Sequence, residues 1–230
     1  MAPERSIAPV SSGELNPWWR YGIRVASPLL RLLFRVGVTG LEHVPARGTT
    51  LLAFNHVSPL DGPALAIAFT ARTKRSVRFL VAAEFFRRRF HGWVLRTFEQ
   101  IPIRRGEGDG AALDAALDAL REGSVIAIAP EGAVNADPEH LQRIRSGIAR
   151  LALPAGAPIV PVGMWGTQQR WPRGGVRWSR PWRPTLVIAF GPPILPEGDV
   201  ASEEDIDMLR DRVRDRLEDQ VAIARSRASR

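Results

Sequence analysis

Apolar, β-branched runs recur along this chain at residues 50–54, 77–82, 124–129, 158–163 and 185–190. Helical periodicity fills the spaces between the earlier runs, near 62–72, 84–97, 109–122 and 139–153. Strands alternating with helices predict a largely parallel sheet covered by helices. The expected fold class is therefore α/β, one domain, preceded by an N-terminal amphipathic helical segment. Near the end, Ser202 followed by Glu203, Glu204 and Asp205 reads as a helix cap, and a charged amphipathic helix runs on to about Ala224.

Residues 16–36 carry a different pattern. Trp18, Trp19, Tyr21, Ile23, Val25, Leu29, Leu30, Leu32, Leu33, Phe34 and Val36 are interrupted by Arg20, Arg24, Arg31 and Arg35. At about 100° per residue those four arginines fall in one stripe roughly 60° wide, with apolar and aromatic side chains opposite. The longest uncharged stretch, Val25 to Leu30, is far short of the roughly 20 residues that span a bilayer. A basic stripe backed by tryptophans describes an interfacial helix, with Trp18 and Trp19 at headgroup level. Pro28 is expected to divide the segment into two shorter helices. Packing of the apolar side against the chain's own domain is the competing reading.

The expected organisation is a disordered stretch over 1–15, interfacial helices over 16–36, the α/β domain over 37–200, and a C-terminal helix and tail over 201–230. Two further segments mix aromatics with arginine: 85–90 and 169–184, the latter interleaving Trp171, Trp178 and Trp182 with five arginines. Aromatic and basic residues together also describe single-strand nucleic-acid binding. The N-terminal helix favours a membrane surface instead, so no nucleic-acid partner is expected.

Composition changes this picture in two ways. The net charge of +8, almost wholly arginine, favours anionic partners such as phospholipid surfaces, phosphorylated substrates or acidic carrier proteins. The absence of cysteine excludes disulfides, thiolate metal sites and a cysteine nucleophile. The four histidines show no metal-ligand spacing, so no metal is expected. No G-x-S-x-G elbow or P-loop is present, and Gly106–Gly110 reads as a flexible loop into the next helix.

The chemistry-bearing stretch is Asn55-His56-Val57-Ser58-Pro59-Leu60-Asp61. It follows an apolar strand and precedes a helical pattern, so it sits at a strand-to-helix turn facing a cleft. A neutral imidazole held by a carboxylate is a general base for a hydroxyl proton. Taken alone, Asp61 also reads as an N-cap and His56 as a satisfied core histidine. Pro59 interrupts what would otherwise be a helix, allowing the two side chains to converge.

Four blocks in order resemble the glycerolipid acyltransferases, the lysophosphatidate acyltransferase family: Asn55–Asp61, Ile101–Gly106, Ala129–Gly132 and Ile159–Gly163. Leu141 through Gly147 also resembles the family stretch in which a basic residue, here Arg145, precedes a glycine. The resemblance covers roughly residues 35–195. It implies that His56 is the base and Asp61 its orienter. Arg104, Arg105 and Arg145 would neutralise an acceptor phosphate, with Glu131 and Gly132 binding the acceptor and Glu131 taking its hydroxyls. The fourth block, Pro161, Val162 and Gly163, would supply oxyanion donors. It further implies a lysolipid acceptor and acyl-CoA or acyl carrier protein as donor substrate, with no bound cofactor. Lysophosphatidate acylation to phosphatidate is the expected activity, at the cytoplasmic face of the cell membrane as a peripheral or monotopic protein. Two departures point toward other acceptors. The third block continues Ala133-Val134-Asn135 where a threonine and an arginine are usual, and Arg104 replaces an acidic residue.

Overall fold

Each of the five apolar runs forms a strand, and two strands unforeseen in the pattern join them. The computed structural model describes residues 15–104, 110–178 and 181–229. In chain order the elements are α1 (Pro17–Leu33), β1 (Arg35–Thr39), β2 (Thr50–Phe54), α2 (Asp61–Thr73), β3 (Val77–Ala82), α3 (Ala83–Phe86) and α4 (Arg89–Thr97). There follow β4 (Ile101–Ile103), α5 (Gly110–Arg121), β5 (Val125–Ile128), α6 (Gly147–Ala155), β6 (Ile159–Trp165), β7 (Thr185–Phe190) and α7 (Glu203–Ala228). The strands make one seven-stranded sheet in the order β1-β7-β6-β2-β5-β3-β4. All neighbours are parallel except β6 and β7. The α/β class with a largely parallel sheet is as expected.

Alternation along the strands divides the core into two layers. Leu51, Ala53, Ile126, Ile159, Val187 and Ala189 face α5, α6 and α7. Leu52, Phe54, Val160, Val162, Leu186 and Ile188 face α1 and α2. The C-terminal helix is no appended tail. Ile206, Leu209, Val213, Leu217, Val221 and Ala224 recur at helical spacing and are all buried against the sheet. Each large aliphatic buried in this way contributes about 1.5–3 kcal/mol. Its start is capped as expected, by Ser202 Oγ accepting from the Asp205 N–H.

Three local expectations are corrected. Residues 16–36 do not form two helices divided at Pro28: α1 is one helix with Pro28 inside it, and Arg35 belongs to β1. The run 84–97 breaks into α3 and α4, where Gly92 lies so near the Phe86 carbonyl that a Cβ would come within 2.2 Å. Residues 139–146 are not helical; main-chain groups of His140 and Gln142 are bonded to side chains of the preceding turn instead. The disordered stretch expected over 1–15 lies, except for Leu15, outside the described residues, as does most of the Gly106–Gly110 loop.

Helix α1 presents three faces rather than two. Trp19 is buried with its ring 4.8 Å from Phe98, and Ile23, Leu30 and Leu33 pack on the same core. Trp18, Tyr21, Val25, Leu29 and Leu32 recur at helical spacing on another face, each more than half exposed. Arg20, Arg24 and Arg31 line the third.

Candidate active site

Parallel pairing places the carboxyl ends of β2, β3, β4, β5 and β6 at one end of the sheet. In open α/β sheets that end is where ligands bind. His56 stands two residues past β2, Arg104 one past β4, and Glu131 three past β5.

The turn after β2 is built around Asp61. Ser58 Oγ accepts from the Leu60 N–H at 3.1 Å and Ser58 O from the Asp61 N–H at 3.1 Å, which curls Val57–Leu60 back on itself. Asp61 Oδ2 accepts from the Val57 and Ser58 N–H groups, both at 2.7 Å. The N-cap reading therefore fails. Asp61 is the first residue of α2, and its carboxylate bonds main chain before the helix rather than within it. His56 Nδ1 lies 3.0 Å from the same Oδ2, with Asp61 fully buried and the histidine side chain 19% exposed. A carboxylate only accepts, so Nδ1 carries the proton and Nε2 keeps its lone pair for a substrate. That is the arrangement of an oriented base.

A second carboxylate holds the same histidine by its main chain. Glu131 Oε1 accepts from the His56 N–H at 2.8 Å, and Oε2 from Asn135 Nδ2 and the Gln142 N–H, each at 3.0 Å. The Asn135 N–H donates to His56 O at 2.6 Å, and its side chain also bonds His140 O, the Asp137 N–H and Gln142 Nε2. Burial is the largest influence on the Glu131 carboxyl and pushes its pKa above the ordinary value. The N–H donors of Gln142 and His56, the Asn135 amide and the His56 charge pull the other way. The expectation that Glu131 binds acceptor hydroxyls is thus corrected: its buried carboxylate is turned to three protein donors.

Gly132 has φ +78°, and a Cβ there would come within 2.6 Å of Arg145 Nε, so the arginine lies across this turn. Arg145 and Arg104 are both exposed. Arg105 lies outside the described residues.

The fourth block does not sit where oxyanion donors are needed. Pro161 has no N–H, and Val162 and Gly163 are buried inside β6, paired with β7, with Val162 also in register with Phe54 of β2. A Cβ on Gly163 would come within 2.1 Å of the Gln220 main chain, so this glycine admits α7 to the sheet. Its role is packing.

Sequence reasoning missed Thr167. This fully buried residue follows β6 and donates from Oγ1 to Asp61 Oδ1 at 2.5 Å. Its only signal was position, a polar residue just past an apolar strand, as with His56 and Glu131. Asn55 also has a role: its amide bonds both the N–H and the C=O of Met164, joining β2 to β6 beyond their ladder.

The expected membrane residues are split by the structure. Trp18 is exposed and meets Trp93 edge-to-face at 6.0 Å, and Trp93 lies 6.3 Å from exposed Phe90. Trp19 is buried and cannot touch a surface. Trp171, Trp178 and Trp182 are exposed on the segment leaving the carboxyl end of β6, with the Arg170 guanidinium 5.8 Å from the Trp178 ring centre. Among the described residues no helix is long and apolar enough to cross a membrane, and no group of side chains is suited to a metal ion.

A single, largely parallel sheet with a core layer on each face and a histidine oriented by a buried aspartate at its carboxyl end defines the α/β class of this protein. Residues 35–165 match the model of the Acyltransferase family, and the chain belongs to that family. It is 32% identical over 162 residues to an uncharacterised protein of Mycobacterium tuberculosis, covering 64% of this chain and 43% of that protein. To the N-acylphosphatidylethanolamine synthase of Arabidopsis thaliana it is 34% identical over 114 residues, 47% of this chain and 39% of the plant protein. The chain thus spans less than half the length of these curated relatives. Its fold is that of the 1-acyl-sn-glycerophosphate (LPA) acyltransferase PlsC from Thermotoga maritima, with a TM-score of 0.70 at 24% identity. That match covers 89% of this chain and 78% of the other.

Proposed function

We propose that this protein transfers a fatty acyl group from an acyl thioester, acyl-CoA or acyl carrier protein, to the free hydroxyl of lysophosphatidate, giving phosphatidate. The observation that carries the reading is the His56–Asp61 contact, which leaves Nε2 unprotonated at the carboxyl end of the sheet. In the reaction Nε2 takes the hydroxyl proton and the oxygen attacks the thioester carbonyl. The carbon–sulfur bond then breaks, and the imidazolium returns its proton to the departing thiolate. Arg104, Arg105 and Arg145 are the cations assigned to the acceptor phosphate, a task suited to guanidinium.

The acceptor and product both reside in lipid, so docking to the cytoplasmic leaflet belongs to the same reading. The exposed stripe of α1, its flanking arginines and the Trp18–Trp93–Phe90 cluster support it. Trp18→Ser with Trp93→Ser should weaken sedimentation with anionic phospholipid vesicles at least tenfold; unchanged binding overturns this docking face.

A second reading, an acceptor other than lysophosphatidate such as another lysophospholipid or a glycolipid, is favoured by one feature. Where the family usually carries a threonine and an arginine, this chain has Ala133 and Val134, followed by a buried Asn135 engaged in bracing the site. Acyl transfer in detergent micelles, with a long-chain acyl-CoA and lysophosphatidate, separates the readings. Phosphatidate formed by wild type and not by His56→Ala is the expected result. Turnover retained by His56→Ala overturns the base assignment. Turnover of another lysolipid but not of lysophosphatidate selects the second reading.

A further inference from the structure

We propose that Thr167 is a positioning residue for the acyl-transfer base, fixing Asp61 by the oxygen that His56 does not use. This rests on the reading of His56 as base. Asp61 Oδ2 already accepts from three groups, His56 Nδ1 and the Val57 and Ser58 N–H. Those three share one oxygen, and the carboxylate's terminal torsion is intrinsically soft. The Thr167 hydroxyl, at Oδ1, is the contact that defines the carboxylate plane and so the direction in which the imidazole is held.

The hydroxyl is itself placed from outside the His–Asp turn. Gly166 adopts φ +116° at the end of β6, where a Cβ would come within 2.1 Å of Thr185 O, so the chain reverses there in one way only. The Gly166 N–H is taken by Gln168 Oε1 at 2.7 Å, and Thr167 O accepts from the Arg170 and Trp171 N–H groups at 3.0 Å. Thr167 is fully buried, and its branched Cβ restricts χ1. A rigid donor from the turn after β6 thus meets a carboxylate 106 residues away in sequence. The base is therefore aligned by β2, α2 and the end of β6 together. The same short turn continues into the segment carrying Trp171 and Trp178, so the base and that exposed aromatic segment share one main-chain anchor.

The test is steady-state acyl transfer by the full chain carrying Thr167→Val, which keeps the shape and removes the hydroxyl, beside Thr167→Ser, which keeps the hydroxyl. His56→Ala and Asp61→Asn run in parallel with whichever lysolipid the wild type acylates. Loss of a hydrogen bond to a buried charge predicts kcat lower by about tenfold to a hundredfold in Thr167→Val. KM for both substrates should stay within about twofold, since the residue is fully buried, and Thr167→Ser should recover most of the lost rate. Wild-type kcat in Thr167→Val overturns the proposal, as does a Thr167→Ser variant as slow as the valine one. If the valine variant does not fold, Thr167→Ala removes the same hydroxyl and is read identically. Unimpaired His56→Ala or Asp61→Asn would instead overturn the base assignment.

Discussion

Two buried carboxylates grip His56, one by its ring and one by its main chain, and their surroundings differ in kind. Asp61 holds the ring, and three of its four donors lie within five residues of it in the chain. Glu131 holds the main chain, reaching His56 across 75 residues and tying it to Asn135 and Gln142 on a long turn. One region fixes how the ring is turned; the other fixes where the main chain of the same residue sits. Both use carboxyl oxygens to accept from main-chain N–H groups that would otherwise be buried without partners. The division predicts that damage to the first appears in turnover and damage to the second in stability.

The sharpest way to break that division is Asp61→Asn. The amide oxygen can still accept from the Val57 and Ser58 N–H groups, so the turn should persist and thermal unfolding should change little. The charge that stabilises the imidazolium is lost, and kcat should fall by about 10²- to 10⁴-fold, the range of general acid–base contributions. A variant that unfolds rather than slows would show that Asp61 is scaffold as well as orienter. Glu131→Gln is the counterpart. Its carboxamide offers one acceptor oxygen and turns an NH2 toward Asn135 Nδ2 and the Gln142 N–H, both donors. Buried donors left unsatisfied cost about 1–3 kcal/mol each, so denaturant unfolding should register a loss of a few kcal/mol. A fully stable Glu131→Gln with no turnover would assign Glu131 to the chemistry and collapse the contrast.

The same contrast explains what the sequence made legible. The Asp61 region was readable because its geometry is local. A strand end, a proline and a helix start lie within seven residues, and they force the histidine and aspartate together. The Glu131 block was found by its Glu-Gly pattern, yet its work was misassigned, because nothing local shows that Asn135 and Gln142 fold back on the carboxylate. Thr167 escaped for the same reason: its partner, Asp61, opens α2, 106 residues away in the chain. Strand β1 was hidden inside a longer amphipathic run, where Arg35 fits the helical stripe equally well but pairs with Thr185. The fourth block shows the converse. Gly163 matched a family position, but the match carried no geometry, and the structure makes the glycine a contact for α7.

The smallest effect tests how far the two carboxylates differ in solvation. Burial outweighs the hydrogen bonds at Glu131 and raises its pKa, so the folded chain holds that proton more tightly than the unfolded chain does. Within the window from the ordinary value of 4.5 up to the raised folded value, the folded state carries more bound proton. Stability from this site is then fully present below the window and declines as pH rises through it, by at most about 1.4 kcal/mol per pH unit. Glutamine does not titrate, so Glu131→Gln lacks this decline. Denaturant unfolding of both proteins over a series of pH values from 4.5 upward should show the wild-type advantage shrinking as pH rises. An advantage that grows with pH would mean that the three donors outweigh burial. Glu131 would then be an ionised brace, its charge held by the His56, Asn135 and Gln142 donors against the cost of burial.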